Sequence, residues 1–275
     1  MDMIRLNDLD KSQIFELFSL ADEMAGGKYN DMLRGKTIVM FFPASSIRTR
    51  ITFEKGIYLL GAQCVLFPSE TLDKKEDIRD VCGYLDNWAD AVIVRHKNIS
   101  LLDKMAENLT VPVINAMTDV NHPCEIITDL YSLTKRGRDI CHEKYLFVGN
   151  KGNIGLGWKE ASDVLGFELS QCCGKGCEID GLHAYYDIMD AVKGKDIICT
   201  DSLSADVLSD FRACQVTKTA MDHANSGAIL NPCPPFYRGE EVSADAIDSE
   251  YFVGYDFKKC LLEVQQAVLW YCMNR

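Results

Sequence analysis

Short apolar runs alternate with longer amphipathic segments along the whole chain. The runs at 36–42, 63–67, 90–94 and 112–115 have the length and near-continuous apolarity of strands covered on both faces. Between and around them, 8–25, 48–61, 76–86, 99–108 and 123–135 space their apolar residues three and four apart, as amphipathic helices do, and the last opens with a proline near its first turn. This alternation predicts βα units feeding a parallel sheet. A polar stretch, KRGRDICHEK, precedes a second series with strands near 144–149, 168–172, 196–200 and 227–230. The expected fold is therefore α/β, two doubly wound parallel-sheet domains joined by helices, spanning 1–134 and 135–256. In 257–275 a last helix over 257–272 carries Phe257, Leu261, Val264, Val268 and Tyr271 on one stripe. That stripe needs a surface, and the helix is expected to return to the first domain.

Length agrees, since 275 residues suffice for two hydrophobic cores. With 47% hydrophobic and 25% charged residues the composition is that of an ordinary globular protein. No short repeat or low-complexity tract is present. A net charge of −12 disfavours nucleic acid as a partner, because such partners are held by basic surfaces. An anionic ligand therefore requires a local basic pocket. No stretch approaches the roughly 18 apolar residues of a membrane span. The start, MDMIRLNDLDKSQ, lacks a basic region followed by an apolar one, so a cytoplasmic protein without a membrane partner is expected. The 12 cysteines are scattered through apolar runs and read as reduced, buried thiols. Cys172, Cys173, Cys177 and His183 form the one cluster suggesting a metal, but they lack the paired spacing of a structural zinc site, and no metal is expected.

The chemistry concentrates at strand ends. After Phe41-Phe42, the sequence PASSIRTRITFE turns directly into a helical pattern. Unpaired N–H groups at a helix start, the helix dipole, hydroxyls and guanidinium groups together suit a phosphate. By itself the segment fits equally a capped surface helix with solvated arginines. SSIRTRITFE resembles the Ser-Thr-Arg-Thr-Arg-x-Ser-Phe-Glu signature of the aspartate/ornithine carbamoyltransferase superfamily, with Ile47 in place of a threonine. Further motifs in the same order extend the resemblance over nearly the whole chain. Ala91 to His96 is similar to the family strand ending in an arginine, here Arg95. His122-Pro123-Cys124-Glu125 with Asp129 is similar to His-Pro-x-Gln-x-x-x-Asp, with Glu125 replacing glutamine. The resemblance implies a carbamoyl-phosphate site of Ser46, Ile47, Arg48, Thr49, Arg95, His122 and Glu125 in the first domain, with Arg48 and His122 catalytic. LDKKEDIRD, with Lys74 and Lys75, resembles the loop that reaches a neighbouring subunit in the aspartate branch, although a solvated charge run reads the same way.

In the second half, Phe147 to Gly157 is a strand, a glycine-rich turn and a helix. With Glu168 at the distance of a ribose-binding acid, it also admits an NAD-dependent oxidoreductase, although the glycine spacing is not that of the dinucleotide fingerprint. In the ornithine branch this turn holds the acceptor amino acid through an asparagine, best matched by Asn153. The aspartate branch needs an arginine there, and none occurs between Cys141 and Phe211. TDSLS resembles Thr-Asp-x-x-x-Ser-Met-Gly, with Asp201 and Ser204 corresponding and the Met-Gly missing; Asp201 could equally cap a helix beginning at 202–204. NPCPPFYRGEEV is similar to His-Cys-Leu-Pro-x-x-Arg-Gly-Glu-Glu-Val, keeping Cys233 but placing Pro232 and Pro234 where the family has histidine and leucine. Cys233 reads either as an acceptor contact or as a packed thiol. The implied activity is transfer of the carbamoyl group of carbamoyl phosphate to an amino acid, ornithine-like, by a homotrimer without cofactor. Aspartate or another acceptor, and a catalytically silent paralogue, remain open at this point.

Overall fold

The computed structural model describes residues 1–205 and 207–275. The chain divides into two compact units, Met1–Ser132 with Lys258–Arg275, and Leu133–Phe257.

The first unit is built on four parallel strands, β1 (Thr37–Phe41), β2 (Gln63–Phe67), β3 (Ala91–Arg95) and β4 (Val113–Met117), in the order β2-β1-β3-β4. The runs at β1, β3 and β4 are buried almost throughout, as parallel strands covered on both faces must be, whereas the edge strand β2 is largely exposed. Helices α1 (Lys11–Ala25), α2 (Arg48–Leu59), α3 (Ile78–Leu85), α4 (Ile99–Asn108) and α5 (Pro123–Lys135) connect and cover them. Asp10 opens α1 and Asp77 opens α3, each accepting a backbone N–H through its side chain.

The stripe of the last helix does find its surface on this unit, packing against α1 and α2. Gly56 makes the approach to α2 possible, since a Cβ there would lie 2.9 Å from Gln266 Cγ. The expected start of that helix is corrected. Residues Tyr255–Cys260 form a 3-10 turn, entered from Gly254 at φ 80°, and the α-helix α10 runs only from Leu261 to Met273. Spacing alone could not separate the two, because a 3-10 turn repeats about every three residues and an α-helix about every 3.6, too close to tell apart over six residues.

The second unit holds five parallel strands, β5 (Lys144–Val148), β6 (Glu168–Cys172), β7 (His183–Tyr185), β8 (Ile197–Thr200) and β9 (Ile229–Pro232), ordered β7-β6-β5-β8-β9. The strand read at 227–230 begins two residues later and ends on Pro232, which an edge position tolerates. β7 was not anticipated, being three residues long and too short to show a period. The long helix α6 (Asn153–Leu165) follows β5, and α7 (Ile188–Ala191), α8 (Lys218–Met221) and α9 (Ala244–Ile247) are single turns. Tyr145, Trp158 and Phe167 pack together on one side of this sheet, with ring centroids 4.1 Å apart for Tyr145 and Phe167. Among the described residues no helix is long and apolar enough to cross a membrane.

Both strand orders reverse direction once, between β1 and β3 and between β5 and β8. Such switch points open a crevice at the carboxyl ends of the strands, which is where open parallel sheets bind ligands.

Candidate active site

The switch point of the first unit is where the expected anion ligands meet. After β1 the chain turns through Pro43–Ser46, with Ser46 N–H donating to the Pro43 carbonyl, and enters α2 at Arg48. No side chain caps this helix and its first turn carries no acidic residue. Its leading N–H groups are therefore available to an external anion. From the end of β3, Arg95 Nη1 donates to Ser46 Oγ at 3.1 Å and to Thr49 Oγ1 at 3.2 Å, and both hydroxyls are buried. Side chains from the turn, from α2 and from β3 thus share one hydrogen-bonded patch. Arg50, although part of the motif, is turned to Glu54 at 2.6 Å one helical turn on. The Ile47 side chain is 66% exposed, so the residue that replaces the family's threonine faces solvent and leaves only its backbone at the turn.

His122 stands at the start of α5, with Pro123 as the first helical residue. It is buried, and burial, aided by the charges of Arg95 and Lys258 and opposed by Glu125, holds its imidazole down at about 4. The ring is therefore neutral at physiological pH, with Nδ1 making no hydrogen bond among the described residues. Burial pushes the Glu125 carboxyl up, but Lys258, His122 and Arg48 together outweigh it and leave the group below its ordinary range. Lys258 Nζ lies 2.7 Å from Glu125 Oε1 and also bonds Asp129. Lys258 is the residue that sequence reasoning missed. It sits in a Lys-Lys pair at an apparent helix start, and only the return of the C-terminal segment brings it to α5.

Lys74 and Lys75 lie exposed between the 3-10 turn Ser69–Asp73 and α3. The base of this loop is tied by Asp73 to the buried His96 at 3.1 Å, and His96 Nδ1 in turn accepts from Asn98 N–H.

At the switch point of the second unit, β5 ends at Val148 and the turn 149–152 leads to Asn153, the first residue of α6. One glycine here is dictated by space, Gly155, whereas Gly152 marks the approach of a carboxylate. A Cβ on Gly155 would come within 2.5 Å of Phe147 Cε1 and 2.7 Å of Ile179 Cδ1, and one on Gly152 would sit 3.8 Å from Asp201 Oδ2. The Asp201 carboxylate therefore lies beside the turn. Its Oδ1 accepts the Ser202 N–H at 2.9 Å, and residues 201–204 are not helical, so it does not cap a helix there. Ser204 is exposed, whereas Cys233 is buried just past β9, its N–H donating to the Thr200 carbonyl at 3.0 Å. The Pro234–Pro235 peptide is cis. Asn150 Oδ1, just past β5, and Thr200 Oγ1, at the end of β8, are buried without a hydrogen-bond partner among the described residues, an arrangement that costs energy unless a ligand or water completes it. Both stand inside motifs legible in the sequence.

Two other sequence features resolve differently. Glu168 is the first residue of β6, at the opposite strand end from the glycine turn, and is paired with Lys195 at 3.0 Å and Lys144 at 3.7 Å. It is misplaced for a ribose-binding acid, which belongs at the carboxyl end of that strand. His183 packs edge-on against Tyr185, and among the described residues no group of three or more His, Cys, Asp or Glu side chains could hold a metal ion.

Two parallel sheets, each with polar side chains gathered at its switch point, define an α/β architecture of the ligand-binding kind. Residues 1–135 match the model of the aspartate/ornithine carbamoyltransferase carbamoyl-P binding domain, and residues 142–272 that of the Asp/Orn binding domain. The chain belongs to the aspartate/ornithine carbamoyltransferase family. It is 31% identical to the ornithine carbamoyltransferase of Hydrogenovibrio crunogenus over 99% of this chain and 98% of that protein. The ornithine carbamoyltransferase of Desulfotalea psychrophila is 30% identical over 94% of this chain and 93% of its own length. Among solved structures, ornithine carbamoyltransferase from Pyrococcus furiosus superimposes with a TM-score of 0.92 at 28% identity, covering 99% and 96% of the two chains.

Proposed function

We propose that the protein transfers the carbamoyl group of carbamoyl phosphate to the amine of an amino acid, with ornithine the favoured acceptor. The observation that carries this reading is the joining of Arg95 to Ser46 and Thr49 at the uncapped start of α2. Ser46, the Ile47 backbone, Arg48, Thr49 and Arg95 bind the phosphate and carry its charge as it leaves. Arg48, exposed and without an ion pair among the described residues, reaches the carbonyl together with the neutral His122. A neutral imidazole has one N–H to donate, which polarises the carbonyl without adding a second full charge. Glu125 accepts from the carbamoyl NH₂. The acceptor is held by Asn153, Asp201, Ser204 and Cys233, and its uncharged amine attacks the carbonyl carbon. A C–N bond forms, the C–O bond to phosphate breaks, and the amine proton passes to solvent. The protein supplies orientation and fixed charge, and no cofactor takes part.

The names of the relatives support ornithine as acceptor, as does the absence of an arginine from the segment between Cys141 and Phe211. A trimeric assembly, with the Lys74–Lys75 loop reaching a neighbouring copy, is supported by large apolar side chains left exposed on the first unit, among them Tyr58 and Trp88. Twelve cysteines scattered through apolar runs, rather than in the spacing of a disulfide framework, fit a reducing compartment, the cytoplasm.

The test is release of phosphate from carbamoyl phosphate in the presence of ornithine, aspartate and other amines. Ornithine is expected to be the best acceptor, and Arg48→Ala to lower kcat/KM by roughly 10²–10³ while circular dichroism stays unchanged. An Arg48→Ala protein of full activity would refute the assigned role. No turnover with any amine would favour a silent relative, a second reading motivated by Ile47, Glu125, Pro232 and Pro234.

A further inference from the structure

The exchange of glutamine for Glu125 puts a carboxylate beside a pocket read as holding a dianion, and this demands compensation. We infer that Lys258 is a positioning residue that keeps Glu125 ionised and oriented, so that the carboxylate can take the place of the family's glutamine amide as acceptor for the carbamoyl nitrogen. The inference rests on the carbamoyl-phosphate reading of this pocket.

Three observations lead to it. Glu125 and Asp129 are both buried on one face of α5, one helical turn apart, and Lys258 Nζ is shared between them, 2.7 Å from Glu125 Oε1. Lys258 itself is largely withdrawn from water. The charged or titratable groups facing Glu125 are Lys258 from the C-terminal segment, His122 and Cys124 from the start of its own helix and Arg48 from the start of α2, with Asp129 joined through Lys258.

A buried carboxyl without a cation takes up a proton, and the protonated acid is a donor on one oxygen as well as an acceptor on the other. A glutamine in this place offers a carbonyl oxygen that only accepts. Ionised Glu125 also only accepts, and it has two oxygens, one engaged by the ammonium at Oε1. Lys258 thus does two things. It removes the proton that would blur the acceptor, and it offsets a negative charge that would otherwise repel the phosphate. His122 gains as well, because the Lys258 charge disfavours the imidazolium and helps hold the ring neutral.

The test uses the full-length protein and its Lys258→Met, Lys258→Arg, Glu125→Gln and Glu125→Gln/Lys258→Met variants. Carboxyl titration by NMR on glutamate labelled with carbon-13, with Glu125→Gln assigning the resonance, is expected to show Glu125 below its ordinary range in the native protein. In Lys258→Met it is expected to rise by about one unit or more, a tenfold change in proton affinity or larger. In steady-state kinetics, Lys258→Met is expected to raise KM for carbamoyl phosphate roughly tenfold or more, and Lys258→Arg to keep most of the native value. The double variant is expected to recover a large part of the loss, since the charge and its partner leave together. A merely structural lysine would not produce that recovery, because the double variant would be as impaired as Lys258→Met. An unchanged Glu125 titration in Lys258→Met, or a double variant no better than Lys258→Met, would overturn the inference. If the native protein released no phosphate with any amine, the functional reading would fail, yet the titration would still decide whether Lys258 governs Glu125.

Discussion

Glu241 offers a sharp test of the electrostatics around the second crevice. It is fully buried, its Oε1 accepts the Tyr237 N–H at 2.8 Å, and its Oε2 has no partner among the described residues. Burial pushes its carboxyl up to about 7, with Glu240 and Asp201 adding to the rise and the backbone hydrogen bonds opposing it. An unfolded glutamate titrates near 4.5. Because the folded value is the higher one, the contribution to stability is complete below about 4.5 and is lost as the pH climbs through 7. The difference of about 2.5 units corresponds to about 3 kcal/mol. Glu241→Gln keeps an oxygen for Tyr237 N–H but does not titrate. The stability of this variant relative to the native protein is therefore expected to improve by about 3 kcal/mol between pH 4.5 and pH 8, or about 6 °C in midpoint at the usual scaling. Thermal unfolding of both proteins across this range measures it, and other titrating groups cancel in the difference. A gap between the two curves that does not change with pH would refute the reasoning.

Gly155→Ala drives a Cβ into Phe147 and Ile179, and a destabilisation of about 1–3 kcal/mol is expected from overpacking of this kind, read by chemical denaturation. An alanine variant as stable as the native chain would mean that α6 can shift away from β5 at no cost. For the assembly, light scattering is expected to give a mass near three times the 30.9 kDa of the chain. A monomeric mass would leave exposed side chains such as Trp88 without the cover proposed for them.

Much of the fold was legible because buried parallel strands leave an unambiguous mark. The apolar runs that became β1, β3, β5 and β8 are continuous, bounded by turns and separated by amphipathic helices. Elements held by their surroundings were not legible. β7 is three residues long, and the 3-10 turn before α10 shares its periodicity with an ordinary helix start. Among the candidate ligands, those within contiguous motifs, Ser46 and Thr49, could be named together because a helix start presents neighbouring residues to one point in space. Ser204, named in the same way, lies exposed on a segment of irregular structure where sequence adjacency dictates little.

The alternation of the longer strands and helices, the family, and the residue types gathered at the ends of those strands were determined by the sequence alone, since local periodicity and contiguous motifs encode them. Tertiary structure alone decided that Arg95 would bond Ser46 and Thr49, that Glu168 would stand at the wrong end of its strand for a ribose, and that Lys258 would sit between Glu125 and Asp129. These partners are distant along the chain or differ only in which end of a strand they occupy. Charge pairing acts through space, and no pattern of neighbours along a chain reports which buried carboxylate a lysine more than a hundred residues away will meet.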